Sequence, residues 1–194
     1  MSETKIVAVT GSLGSPSRTV ILARSILRAL SEHVQASVEL VEVAEVGAAF
    51  GGVLTRKSLD DRLEGIIRSI EVADLLVVAS PVYRGTYTGL FKHVFDLVHH
   101  EALVDVPVIL AATGGSDRHA LIIDHALRPL FSFFRAQPVP VGIYATEGDF
   151  KGEEIINSEL DRRIELAARQ AARALAARSH GAGAVRHVPE ARPS

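Results

Sequence analysis

Apolar residues follow two rhythms along this chain. Five short runs, Ile6 to Val9, Val38 to Val43, Leu75 to Ala79, Val106 to Ala112 and Val139 to Tyr144, are largely apolar without strict alternation. Such runs fit parallel strands covered on both faces. Between them apolar residues recur at helical spacing: Val20, Ala23, Leu27 and Leu30 in one stripe, and Leu59, Leu63, Ile66 and Ile70 in a second behind the capping candidate Ser58. Leu90, Val94 and Leu97 make a third stripe, and Ile122, Ala126 and Leu130 a fourth. A last helix is expected from about Glu153 to Ala177, with Ile156, Leu160, Ile164 and Ala168 facing inward. The predicted order is βαβαβαβαβα.

This alternation specifies an α/β protein with a parallel sheet, helices on both faces and right-handed crossovers. Five strands suggest the flavodoxin-like three-layer sandwich with strand order 2-1-3-4-5, in which a ligand sits at the carboxyl ends of the strands beside the switch point. The loops after strands one, three and four (GSLGSPSRT, SPVYRGTYTG and TGGSDRH) should therefore converge. Residues 44 to 57 carry several glycines without strong periodicity and are expected to form a mobile connection. Residues 1–178 are expected to form a single domain, and 179–194, with Gly and Pro but no apolar face, a disordered tail.

Composition narrows the partners. A formal net charge of -2 offers no electrostatic case for nucleic acid or an anionic membrane, which leaves small-molecule chemistry. The absence of cysteine excludes disulfides, thiolate metal sites and a catalytic thiol. Neither an export signal nor an apolar run of membrane-spanning length is visible, so a cytoplasmic protein is expected.

The first loop has the shape of a phosphate-binding turn. Gly11 and Gly14 permit unusual backbone, Ser12, Ser15, Ser17 and Thr19 supply hydroxyls, and a helix begins directly afterwards. Arg18 stands in that helix's first turn, where a cation opposes the helix dipole unless an anion is close. An ordinary N-cap with a surface arginine would read the same way. Missing G-x-G-x-x-G and G-x-x-x-x-G-K-[ST] motifs argue against a dinucleotide or a triphosphate and for a mononucleotide. In the third-strand loop, Pro81, Val82, Tyr83 and Arg84 could lie along a planar ring, although Tyr83 and Tyr87 also suit edge packing and Thr88 a helix cap. In the fourth, Gly114 and Gly115 allow close approach of a ligand, or make a plain turn. On this reading Gly114→Val should lower ligand affinity with the fold retained. The histidines lack metal-ligand spacing and no G-x-S-x-G elbow is present, so neither a metal site nor a hydrolase nucleophile is expected.

The segments GSLGSPSRT, ASPVYRGTYTGLFKHVFDL and ATGGSDRHALIIDHALRPLFSFFRAQ together resemble the NAD(P)H-dependent FMN reductases of sulfonate utilisation, over roughly residues 4 to 144. The resemblance implies that Ser12, Ser17, Arg18 and Thr19 hold the FMN phosphate. It implies that Pro81, Val82, Tyr83 and Arg84 contact the isoalloxazine and that Thr113, Gly114, Gly115 and Ser116 close its other side. The cofactors implied are FMN and NADH or NADPH, the product reduced FMN, and the partner an FMN-dependent monooxygenase. No catalytic acid or base is implied, because hydride transfer needs stacked rings rather than proton relays. A flavin-retaining quinone, azo or metal-ion reductase is the alternative within this superfamily, and a flavodoxin-type electron carrier the alternative in another class.

The fourth helical segment carries two further expectations. It reads as apolar on more than one face, through Leu121, Ile122, Ile123, Leu127, Leu130, Phe131, Phe133 and Phe134, and this, with the resemblance, points to a homodimer or homotetramer. Pro129 lies inside the pattern and removes the helical partner of the His125 carbonyl, so a kink or an i to i+5 bulge is expected near His125. There the alkanesulfonate-type reductases carry an inserted tyrosine, and His125 resembles the methanesulfonate-associated ones.

Overall fold

A computed structural model describes residues 3–181. Its centre is a parallel sheet. Strand β1 (Lys5–Thr10) lies between β2 (Ser37–Glu42) and β3 (Leu75–Pro81), and β3 pairs with β4 (Pro107–Gly114). This is the expected order, with the reversal between β1 and β3 that opens a crevice at the carboxyl edge. Alternate residues of β1 enter different cores: Val7 and Val9 join one cluster, Ile6 and Ala8 the other. Burial on both faces is why the central runs do not alternate, whereas the edge strand β2 is less covered than expected and leaves Val38 52% exposed.

The helices divide unequally over the two faces. Helix α1 (Arg18–Ser31) buries Thr19, Leu22, Ala23, Ile26 and Leu30, a stripe turned slightly from the expected one, with Val20 and Leu27 half-buried. It shares its face with α6 (Ser158–Gly181), which seats Ala167, Ala168 and Ala171 against the sheet. The opposite face takes α2 (Val43–Gly51), α3 (Asp61–Glu71) and α4 (Gly89–Asp96). Phe91, Phe95 and Phe131 form a ladder there with ring centroids 4.9 Å apart at each step.

Several expectations are corrected. Residues 44 to 57 hold most of α2 and a 3-10 turn at Arg56–Ser58, because Val43, Val46 and Phe50 make an apolar stripe that the glycines obscured. The cap of α3 is Asp60, whose carboxylate accepts from the Leu63 amide at 2.8 Å, and Ser58 belongs to the preceding turn. The fifth strand is split into β5 (Gln137–Pro138) and β6 (Ile143–Thr146), both parallel to β4. Pro140 lacks an amide for the ladder, and side chains satisfy the broken stretch. Arg128 donates to the Val139 and Pro140 carbonyls, Arg163 donates to the Gly142 carbonyl, and the Val141 amide donates to Gln170.

The last helix starts at Ser158, after a small hairpin of β7 (Phe150–Lys151) and β8 (Glu154–Ile155), so Ile156 precedes it and is 57% exposed. Leu160, Ile164 and Ala168 are buried as expected. Of the tail expected from residue 179, the first three residues continue α6, and the remainder lies outside the described residues.

The fourth helical segment is a π-helix, Ile123–Leu127, followed by α5 (Arg128–Phe133). The Arg128 amide donates to the Ile123 carbonyl, the i to i+5 bond that the Pro129 defect favours. A β-carbon at Gly142 would stand 2.2 Å from the Ile123 side chain, so the bulge and the broken fifth strand pack directly on each other.

Candidate functional site

At the carboxyl edge of the sheet a cleft of about 700 Å³ is bounded by the three expected loops and by a fourth segment, Thr146 to Gly152. Ser12, Ser17, Arg18, Thr19, Pro81, Val82, Tyr83, Thr113, Gly114 and Gly115 all line it. Arg84 and Ser116 do not.

The first loop is fastened to the third. The Gly11 amide donates to the Ala79 carbonyl at 2.7 Å, and the Thr88 hydroxyl donates to the Gly11 carbonyl at 2.7 Å. Thr88 also caps α4 by accepting from the Phe91 amide. A β-carbon at Gly11 would lie 2.9 Å from both the Phe91 side chain and the Ser80 hydroxyl, so a side chain at this crossing would be crowded out. Beyond it Ser12 is 4% exposed, and its hydroxyl has no hydrogen-bond partner among the described residues. The Thr10 hydroxyl is likewise buried and unpaired, but only Ser12 lines the cleft. Ser17 caps α1, accepting weakly from the Val20 amide at 3.4 Å, and keeps its own proton available. The Thr19 hydroxyl meets the Thr113 hydroxyl at 2.7 Å, tying α1 to β4.

The third loop is a tight turn. Tyr83 and Thr86 exchange backbone hydrogen bonds of 2.8 and 3.3 Å around Arg84 and Gly85, whose φ angles of 52° and 90° are left-handed. This places Arg84 at an exposed tip and leaves Tyr83 half-exposed on the cleft wall. Tyr87 packs instead on Phe91, with ring centroids 5.7 Å apart.

In the fourth loop the two glycines have different reasons to be glycine. A β-carbon at Gly114 would stand 2.1 Å from the Tyr144 hydroxyl, whereas at Gly115 it would meet nothing within 4 Å. The constraint expected from a ligand at Gly114 therefore comes from Tyr144, and the open approach is at Gly115. Tyr144 is held in place by donating to the Ser116 carbonyl at 2.6 Å. Burial raises its pKa, and the nearby Asp117 charge raises it further, so the hydroxyl remains a donor.

The fourth segment was invisible to sequence reading. After β6, a 3-10 turn at Glu147–Asp149 is closed by a capping box between Thr146 and Asp149. Burial pushes the Asp149 carboxyl up, but hydrogen bonds from Asn157 and from the Thr146 amide and hydroxyl outweigh it and hold the pKa below the usual value. From this turn Glu147 reaches across the cleft to an ion pair with Arg18. The only sequence signal was Arg18 itself, a cation at a helix N-terminus in need of an anion.

The match to the NADPH-dependent FMN reductase family model covers residues 4–151. The chain is 51% identical over 168 residues to the NADH-dependent FMN reductase SfnF of Pseudomonas fluorescens, covering 87% of this chain and 90% of that protein. It is 47% identical over 175 residues to an FMN reductase (NADPH) of Pseudomonas aeruginosa, covering 90% and 94%. The crystal structure of an oxidoreductase from Corynebacterium diphtheriae, 38% identical, superposes with a TM-score of 0.78 over 91% of this chain and 99% of that one. With the parallel sheet, the crevice at its switch point and these relatives in agreement, the chain belongs to the NADPH-dependent FMN reductase family.

Proposed function

We propose that this protein is an NAD(P)H:FMN oxidoreductase that supplies reduced FMN to a partner sulfonate monooxygenase. One observation carries the binding half of this reading: the Ser12 hydroxyl in the β1–α1 loop, buried and unpaired among the described residues, in the cleft that Arg18 also lines. A buried hydroxyl without a partner is unfavourable by about 1–3 kcal/mol, and a phosphate oxygen supplies the missing acceptor. The donor set fits a phosphate monoester. Ser12, Ser17 and Arg18 would hold it, with the helix dipole in their favour. In the Thr19–Thr113 pair the mutual bond uses one of the two hydroxyl protons, which leaves the other for a ligand.

Pro81 to Tyr83 and the backbone at Gly115 would flank the ring, while Arg84 at the turn tip stands outside the cleft. FMN, when bound, supplies the hydride acceptor. The chain contributes orientation and a ring-sized slot, and no side chain is assigned as acid or base. Among the described residues no helix is long and apolar enough to cross a membrane. Operation in the cytoplasm is part of the proposal.

Steady-state oxidation of NADH and NADPH with added FMN tests the reading and ranks the two nucleotides. Oxidation that requires free FMN is expected. Turnover of a quinone but not of added FMN would favour the flavin-retaining reductase, and no NAD(P)H oxidation at all would favour an electron carrier.

Self-association is also proposed. Ile122, Ile123, Leu127, Phe131 and Phe134 are buried in the core, while Leu121 and Phe133 are 60% and 68% exposed. Deleting His125 should convert the π-helix to an α-helix, retain the fold and shift the sedimentation coefficient or slow flavin transfer. Unchanged values in both would remove any role for the bulge.

A further inference from the structure

The Arg18–Glu147 ion pair and the unpaired Ser12 hydroxyl line the same cleft. Arg18 is the cation that the phosphate reading assigns to FMN, yet here a carboxylate of the chain itself already neutralises it. Glu147 stands on rigid footing. Its turn is closed by the Thr146–Asp149 capping box, anchored by Asn157 and by the Ile156 amide donating to the Asp149 carbonyl, and joined to β4 through the Gly114–Thr146 register. The side chain above this footing is exposed, with 71% of its surface accessible, so it is free to leave.

We propose that Glu147 is a built-in competitor for the flavin phosphate, a residue that sets FMN affinity and favours release. The inference rests on the phosphate reading of the Ser12–Arg18 loop. When the phosphate enters, it takes the Arg18 guanidinium and Glu147 must turn away, because two anions at one cation repel. When flavin departs, Glu147 returns and restores the charge balance at the start of α1. The competition acts on flavins with a phosphate and spares riboflavin. It suits an enzyme whose flavin is delivered elsewhere rather than retained.

The opposite geometry makes a distinct claim. A guanidinium has enough N–H donors to hold a carboxylate and a phosphate together, and Glu147 would then orient Arg18 and strengthen FMN binding. The sign of one substitution separates the two. Fluorescence titrations of FMN and riboflavin against the full chain are compared for the wild type and Glu147→Gln, with thermal melts to confirm an intact fold. Competition predicts that E147Q binds FMN about two- to fivefold tighter, a size set by the modest strength of exposed ion pairs. Riboflavin affinity should not change, the FMN gain should shrink in 0.5 M salt, and it should largely disappear in an Arg18→Ala background.

Equal or weaker FMN binding by E147Q would overturn the proposal, provided that the wild type prefers FMN to riboflavin. If the wild type binds the two flavins equally, the phosphate reading itself fails and the proposal falls with it. The two failures are thus read from different titrations.

Discussion

The loops after β1 and β4 leave the same edge of one sheet, and both are short, glycine-bearing and hydroxyl-rich. They differ in how their polar groups are satisfied. In the β4 loop the Thr113 carbonyl accepts from the Val82 amide, the Thr113 hydroxyl is bonded to Thr19, and the Ser116 carbonyl accepts from Tyr144. In the β1–α1 loop the Ser12 hydroxyl is buried and unpaired, and the charge of Arg18 is met by a side chain 129 positions away. A loop whose groups are paired internally is scaffold, and its geometry is set before any ligand arrives. A loop with donors unpaired or exchangeable is free to read a ligand, the role proposed for the β1–α1 loop. The cleft needs both.

The comparison predicts the largest effect where the scaffold is most tightly closed. Gly114→Val drives a branched side chain into Tyr144 and should destabilise the protein by about 1–3 kcal/mol, lowering the melting temperature by several degrees and weakening flavin binding. A Gly114→Ala variant should recover when Tyr144→Phe removes the opposing hydroxyl. A G114V protein that melts like the wild type would show that Tyr144 does not hold the loop.

Arg18→Ala probes the reading loop. It should weaken FMN binding about tenfold, the low end of the 1.5–3 kcal/mol range for charge-assisted contacts because Arg18 is half-exposed. Riboflavin binding should be unaffected. Equal losses for the two flavins would remove Arg18 from the phosphate site.

Ser12→Ala should move stability and binding in opposite directions. Removing an unpaired buried hydroxyl should leave the free protein as stable or up to about 1 kcal/mol more stable, while FMN affinity falls severalfold. A loss of stability in thermal melts would mean that the hydroxyl has a structural partner and is not held for a ligand.

The smallest effect concerns the turn that carries Glu147. The Asp149 pKa is depressed in the folded protein, so its stabilisation is present in full above the ordinary aspartate value of about 4 and is lost as pH falls through the lower folded value. Asp149→Asn should therefore melt slightly below the wild type at pH 6, and the gap should close as pH falls below about 4. A gap that widens on acidification would refute the ionised capping role.

Much of this architecture was written locally. The buried central strands announced themselves by apolar runs, because burial on two faces leaves no polar alternation to hide them. Pro129 marked an irregularity near His125, since a missing amide is a local defect, but a kink and an i to i+5 bulge were equally open until the fold chose the π-helix. The hydroxyl-rich loop that lines the cleft was legible as well, because hydroxyls and a cation at a helix start are adjacent in sequence. Alternation of elements specified a parallel sheet with right-handed crossovers, and the strand order was suggested by the flavodoxin-like pattern of five strands.

What only the tertiary structure decided are pairings between distant positions. Tyr144 lies against Gly114 because β6 runs parallel to β4 in that register, and no short window contains both residues. The fifth strand broke where Pro140 lacks an amide and Ile123 of the bulge packs on Gly142, a contact between elements that the periodicity treated separately. Asp60 caps α3 while Ser58 is held in the preceding 3-10 turn, and Ile156 lost its expected burial to the β7–β8 hairpin. Arg18 declared from sequence that it needed an anion. Which carboxylate stands ready was set by the fold, because only the return of the chain through β6 brings Glu147 to the first turn of α1.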